Sequence, residues 1–147
     1  MSSVTATIHI AASPQEVWDL IMDPNRLDDW VTIHRRLRDA SANPLTGGAE
    51  MEQTLCMRGV HFNVRWTVVE FDPPHRAVME GRGPARSKAR IEDRLAEHDG
   101  GTRFDYTNEF HPPGGPLGAA ASRVLVGGVP QREANKSLEQ LKGLLEP

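Results

Sequence analysis

An α+β fold built on one antiparallel sheet is what this 147-residue chain predicts: seven strands, two short helices after the first, and a long helix at the C-terminus. Three observations carry it. Between about residue 31 and residue 110 apolar residues recur with period two in runs separated by short turn-like segments. Ser13-Pro14-Gln15-Glu16 and Asp23-Pro24 are two successive helix starts. Ala134, Leu138, Leu141 and Leu145 fall on one helical stripe.

The first strand, 4 to 10, leads into the helices. Ser13 and Glu16 form a capping box, with proline at the first helical position, where its missing N–H has no partner to lose. Val17, Trp18, Leu20 and Ile21 give this helix its apolar face, and Asp23-Pro24 starts a second carrying Leu27 and Trp30. The period then switches to two, with strands expected at 31 to 39, 49 to 57, 60 to 71, 75 to 82, 86 to 97 and 102 to 110. Their separators, NPLTGG, RG, DPPH, GP and DGG, are short, so consecutive strands form antiparallel hairpins. The last helix runs from Pro130. Gly127-Gly128-Val129-Pro130 should end or kink any helix that begins near Leu117, because a residue before proline avoids the helical region.

Parity sorts the faces. With Arg58-Gly59 as a two-residue turn, Val60 pairs with Met57, Phe62 with Leu55, Val64 with Gln53 and Trp66 with Met51. The last hairpin turns at Asp99-Gly100 or at Gly100-Gly101. Both registers put Ile91, Asp93 and Leu95 with Phe104, Tyr106, Asn108 and Phe110 on one face, and Arg90, Glu92 and Arg94 with Arg103, Asp105, Thr107 and Glu109 on the other. The first is the inner face. Arg35 is assigned inward because Val31, Ile33 and Leu37 share its parity.

Composition narrows the function classes. Lys and Arg number 17 against 20 for Asp and Glu, a net −3, so no global positive field draws the chain to nucleic acid or an anionic membrane. The single Cys56 closes no internal disulfide, Met1-Ser-Ser-Val does not read as a signal peptide, and the weakly polar run Leu117 to Val129 is far shorter than the ~20 residues of a membrane span. One domain, 1–147, cytoplasmic and not inserted in a membrane, is the expectation. His9, His34, His61, His75, His98 and His111 have no metal-ligand spacing and are placed on the surface; no metal and no cofactor is expected. Cys56 has outward parity, and GRGPARSKAR, residues 81 to 90, is read as an exposed basic turn because it lacks the lysine-Ser/Thr ending of a phosphate loop.

The stretches ASPQEVWDLIMDPNRLDDW, VVEFDPPHR, GTRFDYTNEF and LEQLKGLLE, which together span nearly the whole chain, resemble the START-related, SRPBCC superfamily in its polyketide cyclase/dehydrase and lipid transport branch. The resemblance implies a helix-grip fold, in which a curved sheet wraps the last helix and leaves a cavity for an apolar small molecule. It also implies that the two short helices close one end, with Trp18 or Trp30 against the sheet edge. None of the four stretches is a catalytic motif, so function rests on the cavity residues.

On that reading Met51, Gln53, Leu55, Phe62, Val64, Trp66, Met79, Ile91, Leu95, Asn108 and Phe110, with Arg35, are the ligand-binding candidates. Asp93 and Tyr106 are the catalytic candidates. A carboxylate withdrawn from water must be paired or become neutral, so Asp93 either orients a ligand or acts as a general acid/base, or it pairs with a nearby arginine or lies at the wet end of the sheet, where it only closes a polar network. The functions in order are binding of a hydrophobic small molecule, a cyclase/dehydrase-type enzyme, and a chaperone-binding module like the related activators of the heat-shock ATPase, with the protein a monomer or homodimer. The cavity entrance is expected beside residues 111 to 118 and the Gly127-Gly128 break.

Overall fold

The computed structural model describes residues 2–112 and 128–146. In chain order it contains β1 (Ser2–Ile10), α1 (Pro14–Ile21), a 3-10 turn (Pro24–Arg26), α2 (Leu27–Trp30), β2 (His34–Ala40), β3 (Glu50–Met57), β4 (Val60–Asp72), β5 (Arg76–Arg82), a second 3-10 turn (Pro84–Arg86), β6 (Lys88–His98), β7 (Gly101–His111) and α3 (Val129–Leu145). The seven strands form one sheet in the order β1-β7-β6-β5-β4-β3-β2, antiparallel throughout.

Local chemistry fixes the helices where the sequence placed them. Ser13 Oγ accepts from the Glu16 backbone N–H, the Glu16 carboxylate accepts from the Ser13 N–H, and Pro14 opens α1. Asp23 caps the following 3-10 turn by accepting from the Asn25 N–H at 2.9 Å. Trp18 packs from α1 onto Phe71 of β4, ring centroids 5.5 Å apart. The β3–β4 register is the predicted one. Its turn residues Arg58 and Gly59 both have positive φ, 52° and 79°, the geometry whose twist matches flanking strands. Asp99 and Gly100, at 48° and 77°, are likewise the β6–β7 turn, so Asp93 lies opposite Tyr106 and Leu95 opposite Phe104.

Three strands depart from the expected spans by two residues or more, and β1 does so by beginning at Ser2 rather than 4. β2 begins at His34 rather than 31, since the Val31 N–H still bonds back to Leu27 O and closes α2. It carries register shifts between His34 and Arg36 and between Leu37 and Asp39. Each extra residue reverses the alternation beyond it, so inward parity for Arg35 fails. β6 starts at Lys88 rather than 86 because Pro84–Arg86 turns first. A further irregularity in β4 between Val68 and Glu70 bends the middle of the sheet.

The C-terminal helix packs along β1 and α2. Leu138 and Leu141 are its fully buried anchors. Polar clamps hold it in place: Gln131 Nε2 donates to Thr5 O, Lys142 Nζ to His9 O, and the Ala11 N–H to Glu146 Oε2, at 2.8–2.9 Å. The helix considered near Leu117, and the proposed entrance apart from His111, Pro112 and Gly128, lie outside the described residues.

Candidate functional site

The sheet and the helices line a cavity of about 400 Å³, within the range of small-molecule pockets. β3, β4 and β5 line it with Met51, Gln53, Leu55, Phe62, Val64, Trp66 and Met79; β6 and β7 contribute Ile91, Asp93, Tyr106, Asn108 and Phe110. The turn-defined registers put these side chains on one face, so the strongest part of the sequence reading becomes a continuous wall. Two candidates fall outside it. Leu95 is buried one step further along β6, packed in the core beside Phe104. Arg35 is exposed, and its guanidinium turns back to donate to the carbonyls of Thr32 and His34.

His34 takes the inward place that parity had given to Arg35. It is 7% exposed, which overturns its assignment to the surface. Gln53 Nε2 lies 2.8 Å from His34 Nδ1, and Trp66 Nε1 donates to Gln53 Oε1 at 2.7 Å. This relay leaves Nε2 as the protonated nitrogen of a neutral imidazole. Burial, reinforced by Arg35 and opposed by Asp28, holds the His34 pKa below its ordinary value. The relay occupies the Gln53 carbonyl oxygen and one of its two N–H groups, so Gln53 fixes the Trp66 indole as part of the wall. Gly81, opposite Trp66 in the β4–β5 register, makes room for that indole: a Cβ there would sit 2.6 Å from Trp66 Cε3.

Asp93 is the unusual group. It is 5% exposed and makes no hydrogen bond or ion pair with any described residue. The expected arginine pair is formed instead on the outer face by Glu92, which accepts from Arg76 at 2.7 Å and Arg94 at 2.9 Å. Burial, with a smaller contribution from Glu92, pushes the Asp93 pKa up to about 7. Beside it, burial and then the Asp93 charge push the Tyr106 phenol well above its usual range, partly offset by Asn108 Nδ2, which donates to Tyr106 Oη at 3.1 Å. Asn108 Oδ1 and Trp30 Nε1 are buried without a partner among the described residues.

Several lining residues escaped the sequence reading. Trp30 faces the cavity, while Trp18 packs on Phe71 of β4, an interior strand, rather than against a sheet edge. α3 contributes Pro130, Glu133, Ala134, Ser137 and Leu138, of which the stripe had indicated two. Ser137 Oγ accepts from the Thr32 N–H at 3.0 Å, and Thr32 Oγ1 donates to Glu133 Oε2 at 2.5 Å, so both polar side chains are committed to the α2–β2 corner. Their position beside Ala134, Leu138 and Leu141 was the available signal. The basic turn also reaches the site: Gly83, Pro84, Ala85, Ser87 and Lys88 line the rim, with Val60 and His61 of β4. Arg82, Arg86 and Lys88 are exposed as expected. Cys56, despite its outward parity, is buried. Among the described residues no group of three or more His, Cys, Asp or Glu could hold a metal ion.

A curved seven-stranded sheet, a gripped C-terminal helix and a cavity define an SRPBCC-type domain. The chain matches the family described as polyketide cyclase/dehydrase and lipid transport over residues 1–146, and it belongs to that family. It is 30% identical to the uncharacterized protein Rv1546 of Mycobacterium tuberculosis over 98% of this chain and 99% of that one. Among solved structures it is similar to TTHA0849 from Thermus thermophilus, with TM-score 0.79 and 19% identity over 98% of this chain and 97% of the other. It is also similar to a conserved protein from Geobacillus kaustophilus, with TM-score 0.74 and 21% identity over 98% and 95%. No described helix is long and apolar enough to cross a membrane.

Proposed function

We propose that the chain binds a small, largely apolar molecule inside the cavity. The observation that carries this is a pocket of ligand size walled mainly by Met51, Leu55, Phe62, Val64, Trp66 and Ile91, with its polar atoms gathered at few points. Apolar walls supply binding free energy and sparse polar groups supply orientation. An uncharged solvatochromic dye should bind at one site and be displaced by aromatic compounds. Ala89→Trp, which fills a lining position between Gly81 and Phe110, should abolish dye binding while the melting transition is retained. Equal dye binding by wild type and A89W would place the dye elsewhere and defeat the proposal.

One observation favours a second reading. A carboxyl group whose burial pushes its pKa up to about 7, unpaired among the described residues and beside a tyrosine in an apolar site, is suited to proton transfer. On that reading the protein is a cyclase/dehydrase-type enzyme with Asp93 as general acid/base. Asp93→Asn should then lower turnover of a cyclisable polyketone by a factor of about 10²–10⁴ with little change in its binding.

A further inference from the structure

The polar atoms on the cavity wall separate into two sets. One set is engaged inside the protein: the Gln53 carbonyl oxygen and one of its N–H groups between His34 and Trp66, and Glu133 and Ser137 on Thr32. The other is not. Among the described residues the Asp93 carboxyl has no partner, Tyr106 accepts from Asn108 and donates to no other group, and the buried Trp30 Nε1 and Asn108 Oδ1 have no partner. A buried polar group without a partner costs free energy that a ligand can recover by supplying one.

Three of these residues lie together. Asp93 and Tyr106 are direct cross-strand partners on the inner face, and Asn108, two residues along β7 on the same face, reaches the Tyr106 hydroxyl at 3.1 Å. Asp93 in its neutral form offers an O–H, and Tyr106 offers a second. Asn108 Oδ1 adds one acceptor. This is the complement of a single oxygen that accepts twice and donates once, or of a carbonyl or enol oxygen that only accepts. A buried carboxylic acid and a tyrosine acting together as donors to one oxygen is a known physical solution for holding a carbonyl, enolate or phenol in an apolar site. Saturated hydrocarbon or a plain acyl chain would leave all of these groups unpaired.

We infer that Asp93 and Tyr106 form a two-donor seat for a ring-borne oxygen, and that the ligand is a phenolic, enolic or keto-substituted aromatic compound rather than an aliphatic chain. The inference rests on ligand binding in the cavity and specifies the chemistry of its polar end. Trp30 Nε1, on α2, is a separate donor on the same cavity and takes a second acceptor oxygen of the ligand.

The probes are 2-naphthol and naphthalene, equal in ring shape and differing by the one oxygen. At about pH 6, where Asp93 is mostly neutral, wild type should prefer 2-naphthol by about tenfold or more, after correction for their different transfer from water. Tyr106→Phe and Asp93→Leu should each remove most of that preference and leave naphthalene affinity unchanged or raised. Melting transitions confirm that each variant folds, and Asp93→Asn, which retains an N–H donor, should keep part of the preference if Asp93→Leu does not fold. Equal affinity for the two probes in wild type, or a preference that survives both Y106F and D93L, overturns the inference while leaving the cavity proposal standing. Failure of wild type to bind dye, naphthalene and naphthol alike removes both.

Discussion

Asp93 concentrates the consequences of burial in one side chain. Its pKa rises from an ordinary carboxylate value to about 7 in the folded protein. The folded state therefore holds a proton that the unfolded chain releases, and stability falls as pH rises from about 4 to about 7, then levels off with the full penalty present. The penalty is on the order of 4 kcal/mol. Asp93→Asn lacks the ionisable proton, so the stability difference between variant and wild type should grow across that window and stay constant above it. Urea denaturation at several pH values measures it, and parallel curves would show that the carboxyl is not desolvated. His34 slopes the other way: its depressed pKa means stability is lost as pH falls through its unfolded value near 6.5. Taking the difference between variant and wild type cancels that contribution. The sequence identified Asp93 and Tyr106 as an inward pair because the inner face of the last hairpin is the same in both candidate turns. It could not show that the nearby arginines would be claimed by Glu92 on the opposite face.

At the scale of elements, legibility followed turn chemistry. β3–β4 and β6–β7 were readable because Arg58-Gly59 and Asp99-Gly100 fix register, and register fixes which alternate residues face inward. β2 was not readable. Its two bulges carry no sequence mark, and they exchanged Arg35 for His34 on the inner side. The His34–Gln53–Trp66 relay was hidden for the same reason, since it joins β2, β3 and β4 across 32 residues of chain. The β5 strand offers a test of how tightly this wall is built. A methyl group at Gly81 would meet Trp66 ring carbons at 2.6–2.7 Å and Val64 Cγ1 at 2.8 Å. Gly81→Ala should cost about 1–3 kcal/mol through overpacking and weaken dye binding by displacing the indole. A change in stability below about 0.5 kcal/mol would mean that the wall yields freely.

For the whole molecule, the architecture follows from one arrangement: a sheet bent by irregularities in β2 and β4, with an amphipathic helix clamped along β1 and α2. Leu138 and Leu141 fill the part of the concave face they cover, and the remainder stays open toward Asp93, Tyr106 and Asn108. The family pattern in the sequence implied such a cavity, and the inward residues of β3 to β7 gave most of its wall. The contribution of α3 was less legible because Glu133 and Ser137 are polar, and their burial depends on Thr32 from a distant corner. The central claim is that this space receives a ligand. Native mass spectrometry of wild type and A89W, each equilibrated with 2-naphthol, tests it most directly. One molecule should bind per wild-type chain and none on the filled variant; an unliganded wild type, or equal occupancy of the two, would mean that the space is not a ligand site.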